Sequence, residues 1–299
     1  MSRAEFLVEW AGPSTTIQDR GRPGFLRYGV PASGPMDRGG MAAAMGLAGL
    51  ADAAAIEVGL GGLRLSCERG EAGFALAGGA FSVSLDGRPL GSWTVGRMSA
   101  GSRLAITPGA WGCWTYLVFS GVLEASRWLG SRATHAPSGL GGGMVTSGAR
   151  LVVDAGGDQV QPGDAAWPAV HPRPDRYRLV LGPQDQVFTP LAREALLTEP
   201  FAISRRFDRM GIALEGPRLD IAGPLDMPSE PIVRGAIQVP GQGDPVVLMA
   251  DHQPTGGYPK IATLIGADQD SFAQLRPGDI ARFRAVSADE AVAAAREGG

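Results

Sequence analysis

Glycine and proline interrupt this chain so often that few stretches can sustain a helix. There are 45 Gly and 23 Pro in 299 residues, with no Gly-X-Y period. Glycine supplies positive φ and proline removes a backbone donor, so punctuation of this kind belongs to tight turns between short strands. The apolar runs at 74–77, 81–85, 104–106, 114–119 and 151–153 read as strands, with Asp86-Gly87 as a hairpin turn. The second half continues with runs at 177–181, 212–214, 236–239, 246–249, 261–265 and 280–283. The fold class expected is mainly β, built as barrels or sandwiches, with a few short helices.

Three helices carry start signals. Asp37 is an N-cap for a helix over 38–50, and Thr189 followed by Pro190 opens a second that runs to about 197. Ser287 with Glu290 three residues later forms a capping box for the third. The proline-rich segment 171–175 reads as a stiff connector dividing residues 1–170 from 176–299. The stretch 275–283 resembles 98–106, as one strand–turn type used more than once or as the trace of a duplicated barrel.

Charge and motif content exclude several functions. A net charge of −3 is no footprint for nucleic-acid binding. No apolar run approaches the ~20 residues of a membrane helix. The segment 1–10 contains Glu5 and Glu9 and has none of the features of a signal peptide, so the expected location is the cytoplasm. Cys67 and Cys113 stand alone, which predicts two buried small hydrophobes and no metal site. There is no P-loop, no G-x-S-x-G elbow and no H-E-x-x-H; the glycines at 139–143 fall short of a dinucleotide fingerprint. The basic residues are 26 Arg and one Lys, so any chemistry that needs an amine rests on Lys260. No Met-Lys-Met exists, and biotin, if handled at all, must be carried by another chain.

Two polar, glycine-bearing stretches are candidates for a site. The first, 15–37, gathers Gln18, Asp19, Arg20, Arg22, Ser33 and Asp37 and leads into a helix N-terminus, where backbone N–H groups can receive an anion. The second follows the strand at 246–249 with Asp251, His252, Gln253, Thr255, Tyr258 and Lys260, preceded by Gln238. An apolar strand emptying into such residues is the form of a site at a strand end. His252 can move protons near neutral pH, Lys260 can neutralise an anion as a point charge, and Gly256-Gly257 admits close backbone approach. Asp208 and Arg209 make a third group, either pairing with one another on the surface or presenting Arg209 to an anionic substrate. The polar loop 130–134 is a fourth and reads as structural.

In order along the chain, T-T-I-Q-D-R-G-R-P-G, G-V-P-A-S-G-P-M-D, G-S-R-A-T, D-R-M-G-I-A-L-E-G, G-A-I-Q-V-P-G-Q-G-D-P and A-D-H-Q-P-T-G-G-Y-P-K-I-A-T resemble the biotin-dependent carboxyltransferase-like family, also called the allophanate hydrolase subunit 2 family. That family includes the C component of 5-oxoprolinase and the KipA-type proteins. The resemblance implies two cyclophilin-like β-barrel halves. It also implies a partner chain of the KipI type, the B component of 5-oxoprolinase, with a third lactam-hydrolase chain in the oxoprolinase branch. That branch opens 5-oxo-L-proline to glutamate with ATP, and the nucleotide could lie at an interface between chains. Another branch passes carboxylate from biotin to urea, and a third reading is a non-catalytic regulator that binds a KipI-type antikinase.

For an ATP-dependent amide or lactam hydrolase subunit, Lys260 and Arg209 are the expected anion stabilisers. Asp251 and His252 would move protons or orient the substrate. Gln238, Gln253, Thr255, Tyr258 and Asp208 would hold the ligand, and Gln18, Arg20, Ser33 and Asp37 would complete the cleft. The resemblance leads us to expect a small polar residue where Phe207 stands and a polar or basic one near Ala213.

Overall fold

A computed structural model of the chain describes residues 2–155, 162–165, 173–223 and 227–297. Its contacts group residues 1–22 and 33–171 into one unit and residues 23–32 and 172–299 into another. The expected connector begins with His171 and Pro172, which lie outside the described residues. The fold is mainly β, as expected, with four α-helices among the described residues. None of these helices is long and apolar enough to cross a membrane.

The first unit holds an eleven-stranded antiparallel sheet whose centre is the pair Glu71–Leu85 and Arg103–Phe119. Each of these is one long strand where the sequence suggested two short ones. The reason is a glycine that bends the pair without breaking it. Gly78 has φ +134 and lies at a register shift, and a Cβ there would sit 2.7 Å from the Trp114 carbonyl oxygen. Its own carbonyl accepts the Trp93 indole N–H at 2.9 Å. The inward faces pack a core in which Phe6 stacks on Phe119 with ring centroids 4.7 Å apart. Cys67 and Cys113 are buried and form no disulfide, and burial pushes the Cys67 thiol pKa up.

The helix α1 spans Arg38–Leu47, and Asp37 caps it by accepting from the Gly40 N–H at 2.7 Å. It ends three residues before the expected position 50. The Leu50 N–H bonds the Met45 carbonyl and the Gly49 N–H the Gly46 carbonyl, with Gly49 at φ +69. This is the Schellman stop that a glycine just past a helix provides.

The second unit has its own eight-stranded sheet, in the order Ile280–Ala281, Phe201–Phe207, Gly211–Glu215, Val246–Leu248, Ala236–Gln238, Lys260–Leu264, Tyr177–Leu181, Phe283–Ala285. All neighbours are antiparallel except the last pair. The helix α2, Pro190–Thr198, starts at the expected cap, with the Thr189 hydroxyl accepting from the Ala192 N–H. The short α3, Gln269–Ala273, has no counterpart in the sequence reading, because five residues are too few to show a helical period. It delivers Phe272 edge-on to Tyr177 at 5.1 Å and beside Phe283. The helix α4, Ala288–Glu297, opens on the expected capping box, the Ser287 N–H donating to Glu290 and the Glu290 N–H to Ser287 Oγ. The resembling stretches 98–106 and 275–283 share a four-residue turn with a glycine at positive φ, Gly101 at 93° and Gly278 at 91°. Each turn feeds a different kind of strand, seventeen residues long in one unit and two in the other.

Gly78→Ala places a methyl group against backbone at a φ that L-residues avoid. It is expected to destabilise the protein by about 2 kcal/mol or more, read as a lowered thermal midpoint.

Candidate functional site

The site in the second unit starts from the turn between Phe201–Phe207 and Gly211–Glu215. Asp208 does not pair with Arg209 on the surface. Its carboxylate accepts the N–H groups of Met210 and Gly211 at 2.7 and 3.1 Å, which closes the turn. Arg209 points inward instead. Its Nε and Nη2 donate to the two carboxylate oxygens of Asp251 at 2.8 and 3.0 Å, with both side chains almost wholly buried. The Asp251 N–H donates to the Arg209 carbonyl at 2.8 Å, and the Met249 N–H to the Met210 carbonyl. D-R-M-G and A-D-H-Q-P, distant in sequence, are therefore locked together by a two-pronged ion pair and by backbone.

Beside this lock lies a cavity of about 510 Å³ whose lining includes Arg205, Phe207, Asp208, Ala213, Gln238 and Gln253, with half-exposed Tyr258. The two glutamines touch: Gln253 Nε2 donates to Gln238 Oε1 at 3.1 Å, and Gln238 Nε2 donates to the Tyr258 carbonyl at 3.3 Å. Gln253 Oε1 and the remaining amide hydrogens make no hydrogen bond with the described residues. Phe207 and Ala213, where polar residues were expected, both line this cavity.

Lys260 pairs with Gln238 across the sheet. Its side chain is 13% exposed and its Nζ lies 3.1 Å from Glu230. Gln184 joins them, its Nε2 donating to the same Glu230 oxygen at 2.6 Å and its Oε1 accepting the Lys260 N–H. Thr255 pairs with Pro231 in a two-stranded ribbon and is exposed. His252 is buried, and its Nδ1 lies 2.8 Å from the Gln253 carbonyl, which makes Nδ1 the donor and leaves Nε2 basic. Burial lowers its pKa below the ordinary value, so the imidazole is neutral near pH 7.

In the first unit the other expected residues build loops. Asp19 accepts from Ser131 Oγ and the Arg132 N–H, both at 2.5 Å, and from the Gly21 N–H. Gln18 donates to the Thr134 carbonyl, and Arg22 to that of Ala133 while stacking on Trp128. The T-T-I-Q-D-R-G-R and G-S-R-A-T stretches thus interlock. Arg20 is largely exposed and donates to the Ala51 carbonyl. Ser33 is buried at φ +53. Asp37, beyond capping α1, donates its N–H to the Tyr116 hydroxyl, which in turn donates to buried Glu57 at 2.8 Å. Sequence reasoning missed Gln184, Glu230 and Arg205. Gln184 was within reach, since 182–186 is also a polar segment directly after a strand; Arg205 carried no signal inside a strand.

The chain matches the family model described as carboxyltransferase domain, subdomain A and B, over residues 28–285. It is 34% identical to the C component of 5-oxoprolinase from Haemophilus influenzae, covering 92% of this chain and 89% of that protein. Among solved structures, TTHA0988 superposes with a TM-score of 0.84 at 33% identity, over 94% of this chain and 55% of that one. The K. lactis urea amidolyase superposes with a TM-score of 0.87 at 26% identity, over 98% of this chain. The present chain spans little more than half of the TTHA0988 chain and only 19% of the amidolyase.

Removing either partner of the buried pair, Arg209→Met or Asp251→Leu, leaves an uncompensated charge. Each is expected to cost about 3–5 kcal/mol in denaturant unfolding, and the double variant much less than the sum. His252 sets a pH dependence of known sign. Between its lowered folded value and about 6.5 the unfolded chain binds the proton more readily, so stability should rise with pH across that window. In His252→Gln, denaturation midpoints measured from pH 5 to 7 should lose that slope.

Proposed function

The chain belongs to the carboxyltransferase domain family, subdomains A and B, and on that premise we propose that it is a subunit of an ATP-dependent 5-oxoprolinase, acting on a small lactam or amide together with partner chains. The observation that carries the reading is the Gln238–Gln253 pair in the cavity wall. A lactam presents one N–H and one carbonyl side by side, and a carboxamide with a free oxygen and a free N–H is their complement. The curated relative of similar length is named as one lettered component of 5-oxoprolinase, which supports an assembly in which other chains complete the enzyme. In this reading ATP is the co-substrate that activates the lactam carbonyl, held where a partner chain closes the site.

This chain's own residues then have distinct tasks. Gln238, Gln253 and Tyr258 hold the ring. His252, expected to move protons, is not among the described residues that line the cavity; its Nδ1 holds the Gln253 carbonyl, so it acts through Gln253 as a positioning residue. Arg209 and Asp251 neutralise one another and act as positioning residues rather than as free charges. Lys260, expected to stabilise an anion, is balanced by Glu230 and lies outside the cavity lining; opposite Gln238 in the sheet, it is a positioning residue. Asp208 lies in the cavity wall, and Thr255, paired with Pro231, is outside its lining.

A second reading, carboxyl transfer from a biotin carried by another chain, is favoured by one observation, the superposition on the urea amidolyase. The two are separated by reconstitution with the partner chains. Glutamate release from 5-oxo-L-proline and ATP is the expected outcome; biotin-dependent carboxylation of urea in its place would overturn it. Gln238→Ala should lower kcat/KM by about tenfold, the worth of a lost amide hydrogen-bond pair. Unchanged kcat/KM in that variant would remove the cavity from the reaction.

A further inference from the structure

Successive residues of a strand point to opposite faces, yet Arg205 and Arg206 both line the second-unit cavity. The cause is a bulge. Ile203 pairs with Leu214 and Phe207 with Ile212, so three residues on one strand oppose a single one, Ala213, on the other. The bulge is held without the guanidinium groups. Ser204 Oγ donates to Glu215 at 2.7 Å and accepts the Arg206 N–H at 3.3 Å, and Ile203 is bonded on its other edge to Asp279 and Gly278. Bulges next to sites re-aim side chains, and this one aims two cations at one mouth.

The charges around the cavity are otherwise balanced. Arg209 is matched by Asp251 and Lys260 by Glu230. Arg206 leans on Asp244 at 3.7 Å, with both groups largely exposed. Asp208, the acid among the described lining residues, turns its carboxylate to two backbone N–H groups. Arg205 is exposed and makes no ion pair or side-chain hydrogen bond with the described residues. Next to it Phe207 offers an apolar wall, which strengthens a charge pair formed against it.

We infer that Arg205 binds the carboxylate of the substrate, so that the cavity selects a small planar amide carrying an acid group over a neutral one such as urea. This rests on the amide reading above and adds the anionic half of the ligand. The guanidinium fork matches a carboxylate in two-pronged geometry, the Gln238–Gln253 pair takes the amide, and Phe207 covers the ring between them. Where the family pattern leads one to expect polar groups at 207 and 213, this chain has apolar ones, and its cation enters from the bulge instead.

The test is titration calorimetry on the full chain reconstituted with its partner chains, with three probes: 5-oxo-L-proline, 2-pyrrolidinone, which is the same lactam without the carboxylate, and N-carbamoylglycine, a urea that bears one. Arg205→Ala should weaken 5-oxo-L-proline binding roughly 10- to 100-fold while leaving 2-pyrrolidinone binding and the thermal midpoint unchanged. Arg205→Lys should fall between, and added salt should narrow the gap between wild type and Arg205→Ala. Equal affinity of wild type and Arg205→Ala for 5-oxo-L-proline would overturn the inference and leave the oxoprolinase reading standing. Binding of N-carbamoylglycine alone, lost in Arg205→Ala, would uphold the inference and overturn the lactam reading. Wild-type protein that binds neither acid probe would overturn the inference as well.

Discussion

The second unit is organised around one buried ion pair. Arg209 and Asp251 lie in adjacent turns of the sheet, and their two parallel hydrogen bonds fix those turns more tightly than backbone alone would. Desolvating two charges is costly, so the arrangement is stable only because its geometry is nearly ideal and the flanking carbonyl and N–H groups are also paired. The bulge at 204–206 before the Arg209 turn and Gln253, two residues after Asp251, both contribute lining to the cavity.

Charge in this region is handled mostly by pairing. A cation matched to a carboxylate has little net field, whereas a guanidinium with no ion pair among the described residues is still available to an anion that binds against an apolar wall. The cavity therefore combines neutral hydrogen-bonding groups, an apolar aromatic wall and a localised positive edge. Preorganised polarity of this kind suits the proposed amide chemistry, because the oxygen of an opening amide gains negative charge that water would otherwise have to solvate. The first unit uses carboxylates differently. Asp19 and Asp37 accept N–H and O–H donors and serve as nodes that hold loops and a helix start.

Similar-looking polar stretches thus have different fates. T-T-I-Q-D-R-G-R and A-D-H-Q-P-T-G-G-Y-P-K are both polar and glycine-bearing, and a chain read residue by residue offers no reason to separate them. Once folded, the first interlocks with G-S-R-A-T, although Gln18 Oε1 stays buried with no hydrogen-bond partner among the described residues, while the second leaves Gln253 and Tyr258 facing open space. What distinguishes them is whether their side chains are packed into a loop or line a cavity, a property of the surroundings and not of the residues.

Read alone, the chain determined its strand-rich class, the starts of three helices and the polar segments from which a site could be drawn. Those features depend on contacts within a few residues: the Thr189 and Asp37 caps, the Ser287–Glu290 box, the glycines that permit a turn. Tertiary structure alone decided that Gly78 would bend one long strand rather than separate two, that Phe272 would justify a helix only five residues long, and that Arg209 would find Asp251 instead of Asp208. It also decided that Arg205, an unremarked strand residue, would face a cavity. Bulges, register and buried charge pairs are set by whichever partner lies across the sheet, and that partner is distant in sequence, so no local pattern can encode it.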